Sequence, residues 1–112
     1  MIWIGTNVGV YIYNPETENF RKFDVATERG DVISREVSSI KCDSSGDLWI
    51  GVNWQGVFRY DRRDESLELY EPVPGDTTSL SSVHVWDLCF DGDGNLWVGS
   101  QNGGLDRYDR ET

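Results

Sequence analysis

The stretch VSSIKCDSSGDLWIG, residues 37–51, recurs 48 positions later as VWDLCFDGDGNLWVG, residues 85–99. The two copies align without a gap, and a third W-I-G lies at residues 3–5, 46 positions before Trp49. Self-similarity at a fixed period of roughly 20 to 50 residues is the signature of repeat architectures. The chain is therefore predicted to consist of one structural unit used several times.

Each repeat has the pattern of four short strands, which we label A to D. The V-x-x-(I/L) run that opens the quoted stretch is strand A, and the W-(I/V)-G run is strand B. Strand C begins at a glycine and contains a phased tyrosine, at residues 9–14, 56–61 and 104–109. Strand D is predicted at residues 20–24 and 67–71. β-Branched and aromatic residues fill these runs, whereas Gly, Asn, Asp and Pro fill the gaps, so no helix is expected.

An acidic segment joins strands A and B in both copies. Residues 43–47 and 91–95 are predicted to form hairpin turns, with Gly46 and Gly94 supplying the positive φ that such turns need. The second segment also has the D-x-D-G-N opening of a calcium-binding loop, but position 12 of that pattern is Asn102 rather than an acidic residue. We therefore interpret both segments as turns, and no metal site is predicted.

Four antiparallel strands repeated every 46 to 48 residues are typical of β-propeller blades. The predicted fold class is all-β, a β-propeller fragment of about two and a half four-stranded antiparallel blades. The strands occur in the order B-C-D, A-B-C-D, A-B-C within a single domain, residues 1–112. The predicted blade pieces are 1–24, 37–72 and 85–109, joined by linkers 25–36 and 73–84.

Incomplete blades have two expected consequences. The phased tryptophans Trp3, Trp49 and Trp97 are predicted to pack between neighbouring blades rather than to stack on a ligand. Open strand edges and an uncovered blade face favour association with another copy of the chain. We therefore expect a piece of a longer protein that self-associates through its open blade edges.

Charge and composition exclude several functions. The 20 Asp and Glu residues against 10 Lys and Arg give a formal charge of −10, so no nucleic acid partner is expected. No run approaches the roughly 20 apolar residues of a membrane helix, and the first residues do not form a signal peptide. Cys42 and Cys89 make no C-x-x-C pair, and His84 is the only histidine. A zinc site or a Ser-His-Asp triad would therefore need further ligands or a partner chain, and no cofactor is predicted.

The pattern V-x-x-I-x-x-D-x-x-G-x-L-W-I-G, followed by G-L-x-x-Y-D and F-x-x-Y, resembles the two-component regulator propeller repeat. S-L-S-S at residues 79–82 resembles the segment that often precedes strand A in that family, and the resemblance covers most of the chain. It implies the periplasmic sensor of a bacterial hybrid two-component histidine kinase, a signal-transduction protein anchored in the inner membrane and often tied to carbohydrate sensing. The departures are a first B–C turn that is one residue shorter and Trp54 in place of a small residue.

A binding site is predicted on the face where the B–C turns and the D–A linkers meet, because loops on a rigid scaffold can vary without disturbing the sheets. An exposed Trp flanked by amides suits an oligosaccharide, since the ring covers C–H faces while the amides bond hydroxyls. Contact between blades or between copies is the alternative interpretation. The candidate binding residues are Arg35, Asn53, Trp54, Gln55, His84, Gln101 and Asn102.

Three classes of function are compatible with this pattern. The preferred one is a non-catalytic sensor or ligand-binding module. A propeller enzyme, such as a lyase resembling streptogramin lyase, would need a convergent His or acid cluster with a perturbed pKa, and a single histidine argues against it. A structural propeller that binds other proteins is the third class. No catalytic residue is predicted.

Overall fold

The computed structural model describes residues 2–75, 80, 82–100 and 104–108. The regular structure in these residues is all β-strand, with no helix among them. The ten strands are β1 (Ile2–Thr6), β2 (Gly9–Asn14), β3 (Asn19–Lys22), β4 (Val37–Cys42), β5 (Leu48–Val52), β6 (Gly56–Asp61), β7 (Ser66–Tyr70), β8 (Val85–Phe90), β9 (Leu96–Ser100) and β10 (Gly104–Tyr108).

These strands form three antiparallel sheets, ordered β1-β2-β3, β4-β5-β6-β7 and β8-β9-β10. Each sheet is a meander of consecutive strands, so the predicted order B-C-D, A-B-C-D, A-B-C is confirmed. The two A strands carry the same register shift, between Val37 and Ser39 in β4 and between Val85 and Asp87 in β8. The equivalent irregularity shows that the repeated sequence adopts the same backbone path in both blades.

The D strands lie slightly earlier in the chain than predicted. β3 ends at Lys22 rather than at Asp24, and β7 covers Ser66–Tyr70 rather than residues 67–71. Phe23 lies just past β3 and is buried, and its N–H donates to the Val10 carbonyl oxygen at 2.8 Å. This bond continues the pairing with β2 by one residue, while the Phe23 side chain packs against Trp3 and Tyr60 between the first two sheets.

Tryptophans of the W-(I/V)-G motif pack across the boundaries between sheets. The ring centroid of Trp3 lies 5.7 Å from that of Tyr60 in the second sheet. The ring centroid of Trp49 lies 5.0 Å from that of Tyr108 in the third sheet. One buried apolar cluster joins the first two sheets and another joins the last two. The prediction that Trp3 and Trp49 pack between blades is confirmed.

The glycine of the same motif leaves space in which a valine side chain from the next blade packs. A Cβ atom placed on Gly5 would lie 2.6 Å from Val37 Cγ1, and one placed on Gly51 would lie 2.9 Å from Val85 Cγ1. Only a residue without a side chain permits this approach. The valine that opens each A strand and the glycine that closes the preceding W-(I/V)-G therefore form the contact between successive blades.

The A–B turns have the predicted left-handed glycines, with φ of 90° at Gly46 and 83° at Gly94. No segment of the described residues forms a helix that could span a lipid bilayer.

Candidate functional site

The B–C turn of the second sheet, residues 53–55, is held by the two linkers that flank that sheet. The N–H of Asn53 donates to the Glu36 carbonyl oxygen at 2.8 Å, and the N–H of Trp54 donates to the Val83 carbonyl oxygen at 2.8 Å. Trp54 has a φ of 74°, a left-handed conformation that is uncommon for a residue other than glycine. We call residues 32–36, 53–55 and 82–84 the rim.

Trp54, His84 and Asn53 meet at the centre of the rim. Trp54 is 61% exposed, and its ring centroid lies 4.1 Å from that of His84 with the planes at 78°. The Nδ1 atom of His84 lies 3.3 Å from Asn53 Oδ1, so His84 donates when Nδ1 carries the hydrogen. The Asn53 oxygen then accepts, and its amide nitrogen has no hydrogen bond to the described residues. The cluster thus presents an aromatic face beside a free amide donor.

Gln55 secures the linker that precedes strand A. Its Oε1 accepts hydrogen bonds from the N–H groups of Ser34 and Arg35 at 2.9 and 3.1 Å. Its Nε2 donates to the Val32 carbonyl oxygen at 2.8 Å. Gln55 therefore supports the rim, and a direct contact with ligand stays a prediction.

Of the three remaining candidates, Arg35 lies within the described residues. Arg35 is joined to Gln55 through its backbone, and the residue is exposed. Gln101 and Asn102 lie outside the described residues. The structure thus brings Asn53, Trp54 and His84 together and places Arg35 in the linker beside them.

At the opposite ends of the strands, the aspartate of each A–B turn binds the tryptophan of the following strand. Asp43 Oδ2 accepts from Trp49 Nε1 at 2.9 Å, and Asp43 Oδ1 accepts from the N–H groups of Ser45 and Asp47 at 2.9 and 3.0 Å. Sequence reasoning identified the turn but missed the bond to the indole. The constant six-residue spacing from Asp to Trp was the available signal.

Asp91 makes the same set of contacts in the third sheet. Its Oδ2 accepts from Trp97 Nε1 at 2.9 Å, and its Oδ1 accepts from the N–H groups of Asp93 and Asn95 at 2.9 and 3.0 Å. The hydrogen bond from the Trp97 indole, followed by that from the Asn95 backbone, lowers the pKa of Asp91. Because N–H donors surround this carboxylate, its role is to hold the turn and the tryptophan, which agrees with the interpretation as a turn.

A partly buried ion pair supports the same end of the second sheet. Arg59 binds Asp47 through two nitrogens at 2.7 and 2.9 Å, and Asp47 is 3% exposed. The guanidinium carbon of Arg59 lies 5.0 Å from the centroid of the Trp49 ring. These charges thus neutralise each other and fix the tryptophan, which explains a buried aspartate without invoking catalysis.

A cleft of about 420 Å³ lies between the two A–B turns, lined by residues 42–44 and 90–94. It opens at the end of the strands opposite the rim, and the sequence did not predict it. Among the described residues, no three His, Cys, Asp or Glu side chains are grouped so that they could hold a metal ion.

The described contacts of the His84 ring are with Trp54 and Asn53. The exposed Trp54 ring beside the Asn53 side chain gives the rim groups that a binding surface can use.

The comparisons with known proteins agree with this architecture. The family model described as "Two component regulator propeller" matches residues 31–54 and 79–102. Each match spans part of a linker, an A strand and a B strand, and the two matches include every candidate binding residue except Gln55. These two segments of the chain are thus similar to two-component regulator propeller repeats. No curated protein matches the chain.

Solved structures show the same fold. The extracellular domain of the hybrid two-component system BT3049 from B. thetaiotaomicron is 27% identical, with a TM-score of 0.77 over 95% of this chain. The extracellular domain of BT4673 from the same organism, described as a hybrid two-component system, is 25% identical, with a TM-score of 0.72 over 94%. The chain spans 13% of the length of each. It is thus a propeller segment similar to the extracellular domains of two-component systems.

Proposed function

We propose that this chain is a non-catalytic, ligand-binding segment of the extracytoplasmic sensor propeller of a two-component histidine kinase anchored in the inner membrane. The repeats matched by the family model and the likeness to the extracellular domain of BT3049 support the class of protein and its location. Blade pieces 1–24, 37–72 and 85–109 form one unit in this proposal. The observation that carries the binding role is the exposed Trp54 in the rim.

The proposed ligand is an oligosaccharide. A sugar presents C–H groups on one face and hydroxyls around its edge, which suits an aromatic ring beside amide groups. Trp54 supplies the ring, and the amide nitrogen of Asn53 supplies a donor next to it. His84 packs edge-on against Trp54 and limits the orientations that its ring can adopt.

The anchoring of the rim suggests how binding is transmitted. Trp54 and Asn53 hydrogen-bond to linkers that enter two different blades, through Val83 and Glu36. A ligand that binds one spacing of these blades more tightly than another shifts the population toward that spacing. The parent kinase would respond to this shift.

The test is calorimetric titration of the chain with a panel of oligosaccharides. Burial of about 100 Å² of the Trp54 ring, at about 25 cal/mol per Å², contributes about 2.5 kcal/mol, so Trp54→Ala is expected to weaken binding roughly 70-fold. Phe20→Ala is the control, because Phe20 is an aromatic residue that is 65% exposed but belongs to strand β3 rather than to the rim. Equal losses in both variants, or no binding by any sugar of the panel, would contradict the proposal.

A second proposal concerns association between copies, which the third sheet favours. Its outward face carries Trp86 and Leu105, which are 60% and 64% exposed, around Gly99. In the second sheet the equivalent face, around Gly51, is covered by Val85 of the next blade. A Cβ atom placed on Gly99 would have as its nearest neighbour among the described residues the Asp87 carbonyl oxygen of the same sheet, at 3.9 Å.

Size-exclusion chromatography with light scattering tests this association. The wild-type chain is expected to form dimers or larger species at about 100 μM, since an exposed apolar blade face favours contact with a second copy. Leu105→Asp is expected to yield monomers. Phe20→Asp is the control, because Phe20 is 65% exposed in the first sheet, and it should leave the mass unchanged. A monomeric wild-type chain would refute the proposal.

A further inference from the structure

Two polar atoms beside the exposed Trp54 ring have no hydrogen-bond partner among the described residues. One is the amide nitrogen of Asn53, and the other is Nε2 of His84, whose Nδ1 is engaged with Asn53 Oδ1. Asn53 and His84 are partly buried, and among the described residues no buried side-chain nitrogen or oxygen lacks a hydrogen bond. Both atoms therefore reach solvent at the rim, where a ligand can approach them.

The hydrogen-bonding character of His84 depends on its charge. In the neutral ring with the hydrogen on Nδ1, this nitrogen donates to Asn53 Oδ1 and Nε2 is an acceptor. In the charged ring both nitrogens carry hydrogen, so Nδ1 still donates to Oδ1 and Nε2 becomes a positively charged donor. The amide nitrogen of Asn53 is a donor in both cases. One proton thus changes the pair of free atoms from an acceptor and a donor into two donors.

The groups packed against the His84 ring do not titrate. The B–C turn, residues 53–55, and the rest of its own linker within the rim, residues 82–83, contain no charged residue. The charged residues of the flanking elements are Arg35 and Glu36 on the other linker and Asp87 on β8, all three exposed. The Trp54 ring, 4.1 Å away between centroids, favours a charged imidazolium beside it, because an indole attracts a nearby cation.

We propose that protonation of His84 turns the rim into a site for a saccharide that carries a carboxylate, such as a uronic acid residue. This inference rests on the oligosaccharide-binding function proposed above and narrows the class of sugar. The carboxylate oxygens accept from the Asn53 amide nitrogen and from the charged Nε2, while the sugar ring packs on Trp54. Neutral His84 presents a lone pair at Nε2, which repels a carboxylate and accepts from a hydroxyl. Gain of the proton therefore favours the acidic sugar over the neutral one.

Calorimetric titration of the chain with trigalacturonic acid and with the neutral galactotriose tests the proposal. Histidine ordinarily changes its charge between about pH 5 and pH 8, whereas the carboxylates of the acidic sugar stay ionised over this range. The affinity for the acidic sugar should rise roughly tenfold or more from about pH 8 to about pH 5.5, because a charge-assisted hydrogen bond replaces a repulsive contact. The affinity for the neutral sugar should change by less than about threefold.

Two variants separate His84 from the general charge of the chain. The formal charge of −10 becomes less negative at lower pH, which strengthens the binding of any anion. His84→Gln keeps a neutral amide at the position and should retain only this general effect. Glu36→Gln removes the titratable carboxylate of the other linker and should keep the full rise. A rise of equal size in the wild-type chain and in His84→Gln would overturn the proposal.

The ring of His84 can also be observed without a sugar. Because it is the only histidine, the imidazole signals in ¹⁵N NMR of the chain belong to it. Nδ1 should carry hydrogen at both pH values, and Nε2 should carry it only at the lower one. A hydrogen on Nε2 and none on Nδ1 at about pH 8 would overturn the assigned hydrogen bond and, with it, the proposal.

Failure of this inference is distinguishable from failure of the proposed function. Binding of galactotriose at both pH values without binding of trigalacturonic acid would overturn the inference and leave oligosaccharide binding in place. Binding of neither sugar would overturn the inference, and binding of no sugar in the wider panel would overturn the proposed function with it.

Discussion

Replacing Asp43 by alanine should destabilise the second blade by more than the loss of its two turn hydrogen bonds would. The bond from the buried Trp49 indole to this carboxylate is worth about 1.5 to 3 kcal/mol, and the two bonds from the turn backbone add about 1 kcal/mol each. The change also leaves the indole N–H of a tryptophan that is 2% exposed without its acceptor. The expected loss is roughly 3 to 5 kcal/mol, a large share of the typical 5 to 15 kcal/mol of a small domain.

Urea denaturation followed by circular dichroism measures this loss. Asp91→Ala is the matched control, because it removes the same set of bonds where the carboxylate and Trp97 are only partly buried and water can replace them. Its expected loss of stability is clearly smaller than that of Asp43→Ala, because water can replace the lost bonds. In a Trp49→Phe background the indole donor is absent, so the loss of unfolding free energy caused by Asp43→Ala should be smaller by about 1 to 3 kcal/mol. A cost that is equal for Asp43→Ala and Asp91→Ala, or unchanged in the Trp49→Phe background, would refute this reasoning.

Two further predictions follow from the blade contacts and from the pKa of Asp91. Gly51→Ala should lower the free energy of unfolding by about 1 to 3 kcal/mol, because the new Cβ would lie 2.9 Å from Val85 Cγ1. Gly99→Ala is the control and should be neutral or slightly stabilising in the same thermal unfolding measurement. A destabilisation of the same size at Gly99 would contradict the assignment of this contact. The lowered pKa of Asp91 means that the folded state prefers its charged form, so its contribution to stability is present above the ordinary value of 3.8 and is lost as the pH falls below it. Denaturation curves between pH 7 and pH 3 should show this loss for the wild-type chain and a smaller one for Asp91→Asn, and identical pH dependence would exclude Asp91 as a source.

Much of the fold could be predicted because comparison of the repeats within the chain shows which residues keep the same position. The phase of Trp3 and Trp49 predicted packing between blades, and the glycines of the A–B turns predicted the positive φ. The packing of Phe23 just past β3 could not be predicted, because its side chain contacts Tyr60 of the second sheet. Local propensity does not contain that tertiary contact.

The site was harder to predict than the scaffold. The sequence placed Trp54 and Asn53 in one turn, but only the structure shows that His84, 30 residues after Trp54, packs edge-on against the Trp54 ring. Gln55 was expected as a binding amide, whereas its carboxamide bonds to the linker at Val32, Ser34 and Arg35. A side-chain amide has the same chemistry for a ligand hydroxyl and for a backbone group, so composition alone does not distinguish the two uses.

The way in which the rim is anchored separates its structural role from its binding role. The hydrogen bonds of Asn53 and Trp54 to the two linkers come from backbone N–H groups, which any residue except proline could supply. Side chains that tolerate the left-handed φ of 74° at this position can therefore replace Trp54 without loss of these anchors, whereas the side chains of Asp43 and Trp49 themselves make the bond that holds the blade. Repeats of this kind can keep one blade structure while the side chains of the B–C turn diverge, as TNVG at residues 6–9 and VNWQG at residues 52–56 have done. Substitutions at Trp54 should accordingly change binding and leave folding intact, which is the property that a sensor needs if related propellers are to recognise different ligands.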